Sequence, residues 1–146
     1  MLTMEESIVI HRPRKEVYEY AVAPDRQPEW LGNLIEYEAE RDGPPEVGDR
    51  NRAVARMAGR SFTSTQEITE AVPGEKLAFR SDDGPFEYRF EWRFEDDGDG
   101  TRLTIHGEGP GFAGWFGRLS DPLVVKLFSR DMRSNLENLK ALLEDV

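Results

Sequence analysis

From Leu34 to Glu108 the chain reads as strand and turn, and after Asp121 it reads as one long amphipathic helix. A lone helix and a single curved sheet each carry one apolar face, and each must bury that face against the other. At 146 residues the chain is long enough for one domain with a real core, and no linker, repeat or low-complexity tract divides it. The expected class is therefore α+β: a curved antiparallel sheet of about six to seven strands wrapped around a C-terminal helix. It is expected as a single domain over residues 1–146.

The clearest strand is Phe86 to Glu95. Phe86, Tyr88, Phe90, Trp92 and Phe94 fall on one face, while Glu87, Arg89, Glu91, Arg93 and Glu95 fall on the other. Alternation with a period of two places one face in the core and the other in water. Other strands are expected at Glu6–His11, Leu34–Arg41, Arg50–Met57, Phe62–Val72, Lys76–Ser81 and Thr101–Glu108. They are separated by turn formers such as Gly43-Pro44-Pro45, Pro73-Gly74 and Asp82-Asp83-Gly84. Two short helices follow the first strand, one opened by Pro13 and running through Ala21, the other within Pro24–Leu31. Ser120 or Asp121, followed by Pro122, starts the last helix. Leu123, Leu127, Met132, Leu136, Leu139 and Leu143 are its expected buried stripe.

Composition excludes several functions. The formal net charge is −10 and the pI about 4.7, which disfavours nucleic acid and anionic membrane surfaces as partners. Cysteine is absent, and with it disulfides, thiolate catalysis and cysteine metal sites. The polar, acidic start of the chain is unlike a signal peptide, and no apolar run approaches the about 20 residues a membrane span needs, so a cytoplasmic protein is expected.

Three motifs suggest chemistry and lose it in context. Gly109-Pro110-Gly111-Phe112-Ala113-Gly114 has the spacing of a dinucleotide loop, but no strand follows the helix behind it to supply the acid such a site requires. The bland reading is a hinge, with Phe112, Trp115 and Phe116 covering the open end of the sheet. Glu95, Asp97, Asp99 and Gly100 imitate the start of a calcium loop, yet position twelve is His106 and the flanks are strands. His11 and His106 both count to the outer sheet face, a poor start for a metal site or a catalytic triad. No metal and no cofactor are expected.

The inner face is more telling. Phe62, Ser64 and Gln66 share the parity of Ile68, so a regular strand sends two polar groups onto an apolar concave surface. A small-molecule pocket is mostly apolar with a few oriented polar groups. Tyr88, Phe90 and Trp92 point the same way, Phe79 joins them, and Trp30 packs either under the strand mouth or in the core. Arg52 and Arg56 alternate with Ala53, Ala55 and Met57 and are expected outside.

The order strand, two small helices, meander and long helix resembles the START-like superfamily, also called SRPBCC or Bet v 1-like. It is most similar to the bacterial polyketide cyclase/dehydrase-like group. The residues carrying the resemblance are Ile8-Val9-Ile10, Pro13, Glu16-Val17-Tyr18, Pro24 and Pro28-Glu29-Trp30. Val47-Gly48-Asp49, Ala71-Val72-Pro73-Gly74-Glu75-Lys76-Leu77, Asp99-Gly100-Thr101-Arg102-Leu103-Thr104 and the closing leucine repeat from Leu136 extend it over nearly the whole chain. The resemblance implies a helix-grip fold whose cavity holds a hydrophobic or amphipathic small molecule such as a lipid or polyketide. It carries over no catalytic residue. The residues expected on such a ligand are Trp30, Phe62, Ser64, Gln66, Phe79, Tyr88, Phe90, Trp92, Phe112, Trp115 and Phe116. Two other readings stand beside a binding protein. One is a cyclase or dehydratase-like enzyme without metal or nucleotide, using Ser64, Gln66 and Tyr88 as donors. The other is an interaction module or homodimer that uses Phe112, Trp115 and Phe116 as its apolar patch.

Overall fold

A computed structural model of the chain describes residues 2–57, 59–84, 87–109 and 121–145, which form seven strands and three helices. Strand β1 (Leu2–Ile10) leads into α1 (Arg14–Val22) and α2 (Gln27–Trp30). Strands β2 (Leu34–Glu38), β3 (Arg50–Met57), β4 (Arg60–Val72), β5 (Lys76–Asp83), β6 (Arg89–Asp97) and β7 (Gly100–Gly109) follow as an antiparallel meander. Strand β1 returns to pair with β7, so the sheet order is β1-β7-β6-β5-β4-β3-β2. Helix α3 (Asp121–Glu144) closes the chain.

The expected fold is the observed one, with ends displaced by a few residues. Pro13 is the N-cap of α1 instead of its first residue, and its carbonyl accepts a 3.1 Å hydrogen bond from the Val17 N–H. Strand β2 stops at Glu38, short of the expected Arg41. Strand β6 runs from Arg89 to Asp97, and of its expected start Phe86 lies outside the described residues.

Register shifts between Leu34 and Glu36 in β2, and at Thr65/Gln66 and Ile68/Glu70 in the β4–β5 pair, interrupt the ladders. Such bulges add local twist and bend a strand. Helix α3 lies against β1. Lys140 Nζ donates to the Val9 carbonyl at 2.7 Å, Arg133 pairs with Glu6 at 3.1 Å, and Glu144 accepts from the His11 N–H at 2.9 Å.

The core sits between the sheet, α1, α2 and the C-terminal half of α3. Ile10, Val17, Trp30, Leu103, Ile105, Leu136 and Leu139 are fully buried there. Tyr18 meets Phe94 edge to face at 5.1 Å, and Trp30 meets Trp92 in the same way at 5.2 Å. Such aromatic pairs add about 0.5–1.5 kcal/mol each beyond the area they bury.

The α3 stripe differs from expectation at its N-terminal end. Leu123 and Leu127 are 41% and 40% exposed, while Val124 is buried and Phe128 and Met132 are half-buried. Spacing alone cannot choose between adjacent stripes. The sheet chooses, by presenting packed core to Leu136, Leu139 and Leu143 and a hollow to the first half of the helix.

A candidate ligand cavity

That hollow is a cavity of about 350 Å³ between the concave face of the sheet and the N-terminal half of α3. It falls within the about 300–1,000 Å³ typical of small-molecule sites. Residue size explains why the space is not filled. Ala53 and Ala55 on β3 and Ser64 on β4, opposite Ala53, give this end of the concave wall three small side chains, with only Phe62, opposite Ala55, large. Gly107 on β7 stands opposite Phe90, and a Cβ on Gly107 would lie 2.5 Å from the Phe90 ring. A glycine is required there for the ring to lie flat over β7.

Aromatic rings make one wall. Phe90 stacks on Phe79 at 5.6 Å, Phe79 meets the edge of Trp92 at 5.6 Å, and Tyr88 meets Phe90 at 5.8 Å. Leu31 and Leu34 form the rim near α2, and Val124, Phe128 and Met132 close the helix side. Of the expected residues, Phe62, Ser64, Gln66, Phe79, Tyr88, Phe90 and Trp92 line the cavity. Trp30 does not. It is fully buried behind Trp92, with its indole N–H donating to the Ala21 carbonyl at 3.2 Å, which is the core alternative of the sequence reading. Phe112, Trp115 and Phe116 lie outside the described residues, as does the glycine-rich motif beyond Gly109.

Polar groups are few and held in place. Ser64 and Gln66 are only 2% and 9% exposed. The Tyr88 hydroxyl shares a 2.6 Å hydrogen bond with Ser64 Oγ and accepts one of 3.0 Å from Gln66 Nε2. The backbone of Tyr88 is fixed through Ser81, whose N–H donates to the Tyr88 carbonyl and whose Oγ accepts from the Tyr88 N–H, both at 2.9 Å. Burial raises the pKa of Tyr88, against the opposing pull of the Ser64 and Gln66 hydrogen bonds. The hydroxyl therefore stays neutral at physiological pH.

A second polar group escaped the sequence reading. Tyr37 on β2 accepts a 3.0 Å hydrogen bond from Asn51 Nδ2, and the Asn51 carbonyl oxygen accepts from the Glu40 N–H at 3.0 Å. Burial pushes the Tyr37 hydroxyl up to about 12. Gln27, also in the wall, is buried and donates to the Val22 carbonyl at 3.2 Å. Asn135 of α3 accepts the Gly32 N–H at 3.0 Å and so ties the loop before β2 to the helix. Tyr37 alternates with Glu36 and Glu38, and Asn51 shares the parity of Ala53 and Ala55, so periodicity offered their side of the sheet but not their pairing; Gln27 and Asn135 lie in helices and carried no such signal.

The other chemical leads resolve as surface. His106 lies on the outer face, 3.4 Å from Glu5 and 3.6 Å from Glu108, and His11 is exposed. Arg52 and Arg56 are exposed, while Ala53 and Ala55 are buried. Asp97 to Gly100 forms the β6–β7 turn, with Gly98 at a φ of 58°. Among the described residues, no three metal-ligating side chains of the His, Cys, Asp or Glu type gather into one group. No described helix is long and apolar enough to cross a membrane.

A family model described as polyketide cyclase / dehydrase and lipid transport matches residues 1–144. The chain belongs to that family. Among solved structures it is similar to the Thermus thermophilus protein TTHA0849, with a TM-score of 0.81, 26% identity, and 95% of this chain and 94% of that chain covered. A START superfamily protein from Mycobacterium smegmatis also gives a TM-score of 0.81, at 13% identity and 98% and 97% coverage. Ara h 8.0201 gives 0.69 at 11% identity, with 99% of each chain covered. At such identities the last two share the fold alone. No curated protein matches the sequence. The START-like resemblance read from the sequence is thus the family found, and this family and fold commonly hold hydrophobic ligands.

Proposed function

We propose that this cyclase/dehydrase-family chain binds a hydrophobic or amphipathic small molecule in the cavity between its sheet and α3. One observation carries the reading: an apolar, largely aromatic hollow into which a fixed polar cluster, Ser64, Gln66 and Tyr88, is built. Burying a ligand's apolar surface there contributes roughly 25 cal/mol per Å², and the polar cluster orients it. Phe62, Phe79, Phe90 and Trp92 supply contact area in this reading. Phe112, Trp115 and Phe116 remain proposed contacts on sequence grounds. The protein works in the cytoplasm as a carrier or store, and its charge of −10 supports having neither nucleic acid nor a membrane as a standing partner.

Native mass spectrometry of freshly purified protein, with organic extraction of copurifying material, tests this. A stoichiometric apolar adduct supports the reading. A clean apo mass, together with failure to take up a panel of apolar probes, overturns it.

The shared Ser64–Tyr88 hydrogen bond favours one second reading, a cyclase or dehydratase-like enzyme that orients a reactive chain and donates from these hydroxyls. Its mark would be turnover lost in Tyr88→Phe and Ser64→Ala while binding persists.

A further inference from the structure

On the premise that the cavity binds a ligand, its polar contacts extend beyond the Ser64–Gln66–Tyr88 cluster. Tyr37 lines the same cavity from β2. Asn51, which holds the Tyr37 hydroxyl, is buried on β3 and acts on the cavity only through that tyrosine. The Asn51 carboxamide has a settled orientation: its oxygen accepts the Glu40 N–H, so its nitrogen faces Tyr37. A carboxamide nitrogen only donates, so the Tyr37 oxygen is the acceptor of that bond and its own hydrogen points elsewhere. Burial raises the Tyr37 pKa, and Asn51 and Gln27 both act against the rise, as N–H groups aimed at the oxygen do.

Register brings this hydroxyl close to the known cluster. Asn51 and Gln66 are direct partners across β3 and β4, and in the next row Ala53 stands between Tyr37 and Ser64. Residues so paired share a face, with Cβ atoms about 4.5–5.5 Å apart. Two neighbouring amides thus each donate at 3.0 Å to a tyrosine hydroxyl, Asn51 to one arriving from β2 and Gln66 to one arriving from the β6 side. In the Ser64–Tyr88 pair either oxygen could be the donor, so that cluster does not fix where its remaining hydrogen points. Asn51 does fix it for Tyr37.

We propose that Tyr37 is a ligand-contacting donor of this cavity and Asn51 its positioning residue, so that an acceptor atom of the ligand is held from the β2 side. Equilibrium dialysis of the full chain with naphthalene and quinoline, in mildly alkaline buffer where quinoline is uncharged, tests this. The probes share one shape, and quinoline differs by a single acceptor nitrogen. Comparing the quinoline-to-naphthalene affinity ratio between variants cancels the different cost of taking each probe from water. Tyr37→Phe is expected to lower the ratio about fivefold, as loss of one net hydrogen bond allows. Asn51→Leu is expected to lower it about threefold, and to lower it no further once residue 37 is Phe.

A ratio unchanged in Tyr37→Phe, or lost in Tyr88→Phe alone, overturns the inference while leaving a binding cavity intact. So does an equal loss of both probes in the Asn51 and Tyr37 variants, which would make these residues structural only. Failure of the wild type to bind either probe overturns the binding reading, and this inference with it. Should Tyr37→Phe not fold, Asn51→Leu alone decides, an unchanged ratio being the contrary result.

Discussion

The Tyr88 hydroxyl stands 2.6 Å from Ser64 Oγ across 24 residues of chain, and Gln66 reaches the same oxygen from two residues further along β4. A bulge in the β4–β5 pairing falls between Thr65 and Gln66, yet both polar side chains stay on the concave side. The cluster is thus assembled by the sheet, from a strand and from a residue just before β6.

Tyr88→Phe should keep the ring contact with Phe90 but remove the oxygen that Ser64 and Gln66 share. Two buried polar side chains then lose a partner, at a cost of about 1–3 kcal/mol. Urea unfolding should show a lower midpoint with an unchanged slope. A neutral result would mean that Ser64 and Gln66 re-pair or reach water.

Gly107→Val tests how the cavity is shaped. The Cβ would lie 2.5 Å from the Phe90 ring, so the ring must tilt into the cavity or the strands must part. Overpacking of this kind costs about 1–3 kcal/mol. Thermal unfolding should occur at lower temperature, and uptake of an apolar probe should weaken with it. Full retention of both would show that the ring has room elsewhere.

Glu144 provides an acid-sensitive tie. The hydrogen bond from Lys140 and then that from the His11 N–H hold its carboxyl below the usual 4.5. A folded pKa below the unfolded one stabilises the fold above the unfolded value, and that stability is lost as pH falls through the folded value. Glu144→Gln should therefore be less stable than wild type at pH 7, and the gap should close as pH drops below 4.5. Urea titrations across that window check it; a gap that stays constant to pH 3 would contradict the tie.

All four tyrosines, Tyr18, Tyr20, Tyr37 and Tyr88, have raised pKa values, burial being the largest cause in each case. Tyrosinate absorbance of the native protein should lag that of the unfolded chain above pH 10, with Tyr37 latest, near 12. Because the unfolded state loses these protons first, stability should fall as pH rises from about 10 towards 12. Tyr37→Phe should remove the last step. An early, unfolding-free titration of all four would place them in water instead.

The meander, the closing helix and the aromatic wall were legible because each is a local pattern. Tyr88, Phe90, Trp92 and Phe94 alternate with charged residues, and alternation alone assigns their side of the sheet. Ser64 and Gln66 followed from the parity of Ile68 in the same strand. The pairing of Tyr37 with Asn51 and that of Asn135 with Gly32 were not legible, since each joins separate elements, and Gln27, which bonds to nearby Val22, stands in a helix too short to show a period. Trp30 and Trp92 touch in the core, yet only Trp92 also lines the cavity. Alternation with Glu91 and Arg93 turns Trp92 inward, whereas the four-residue helix around Trp30 has no period to assign its neighbours.

What the residue order determined by itself was therefore the set of elements and the face each one buries, because strand and helix periodicities are imposed by backbone geometry within a few residues. Where the core ends and the cavity begins was decided only by tertiary structure. That boundary depends on where bulges curl the sheet, on alanines and a glycine meeting larger residues across strands, and on which stripe of α3 the curl admits. Each of these is a relation between residues that the chain keeps apart and only folding brings together.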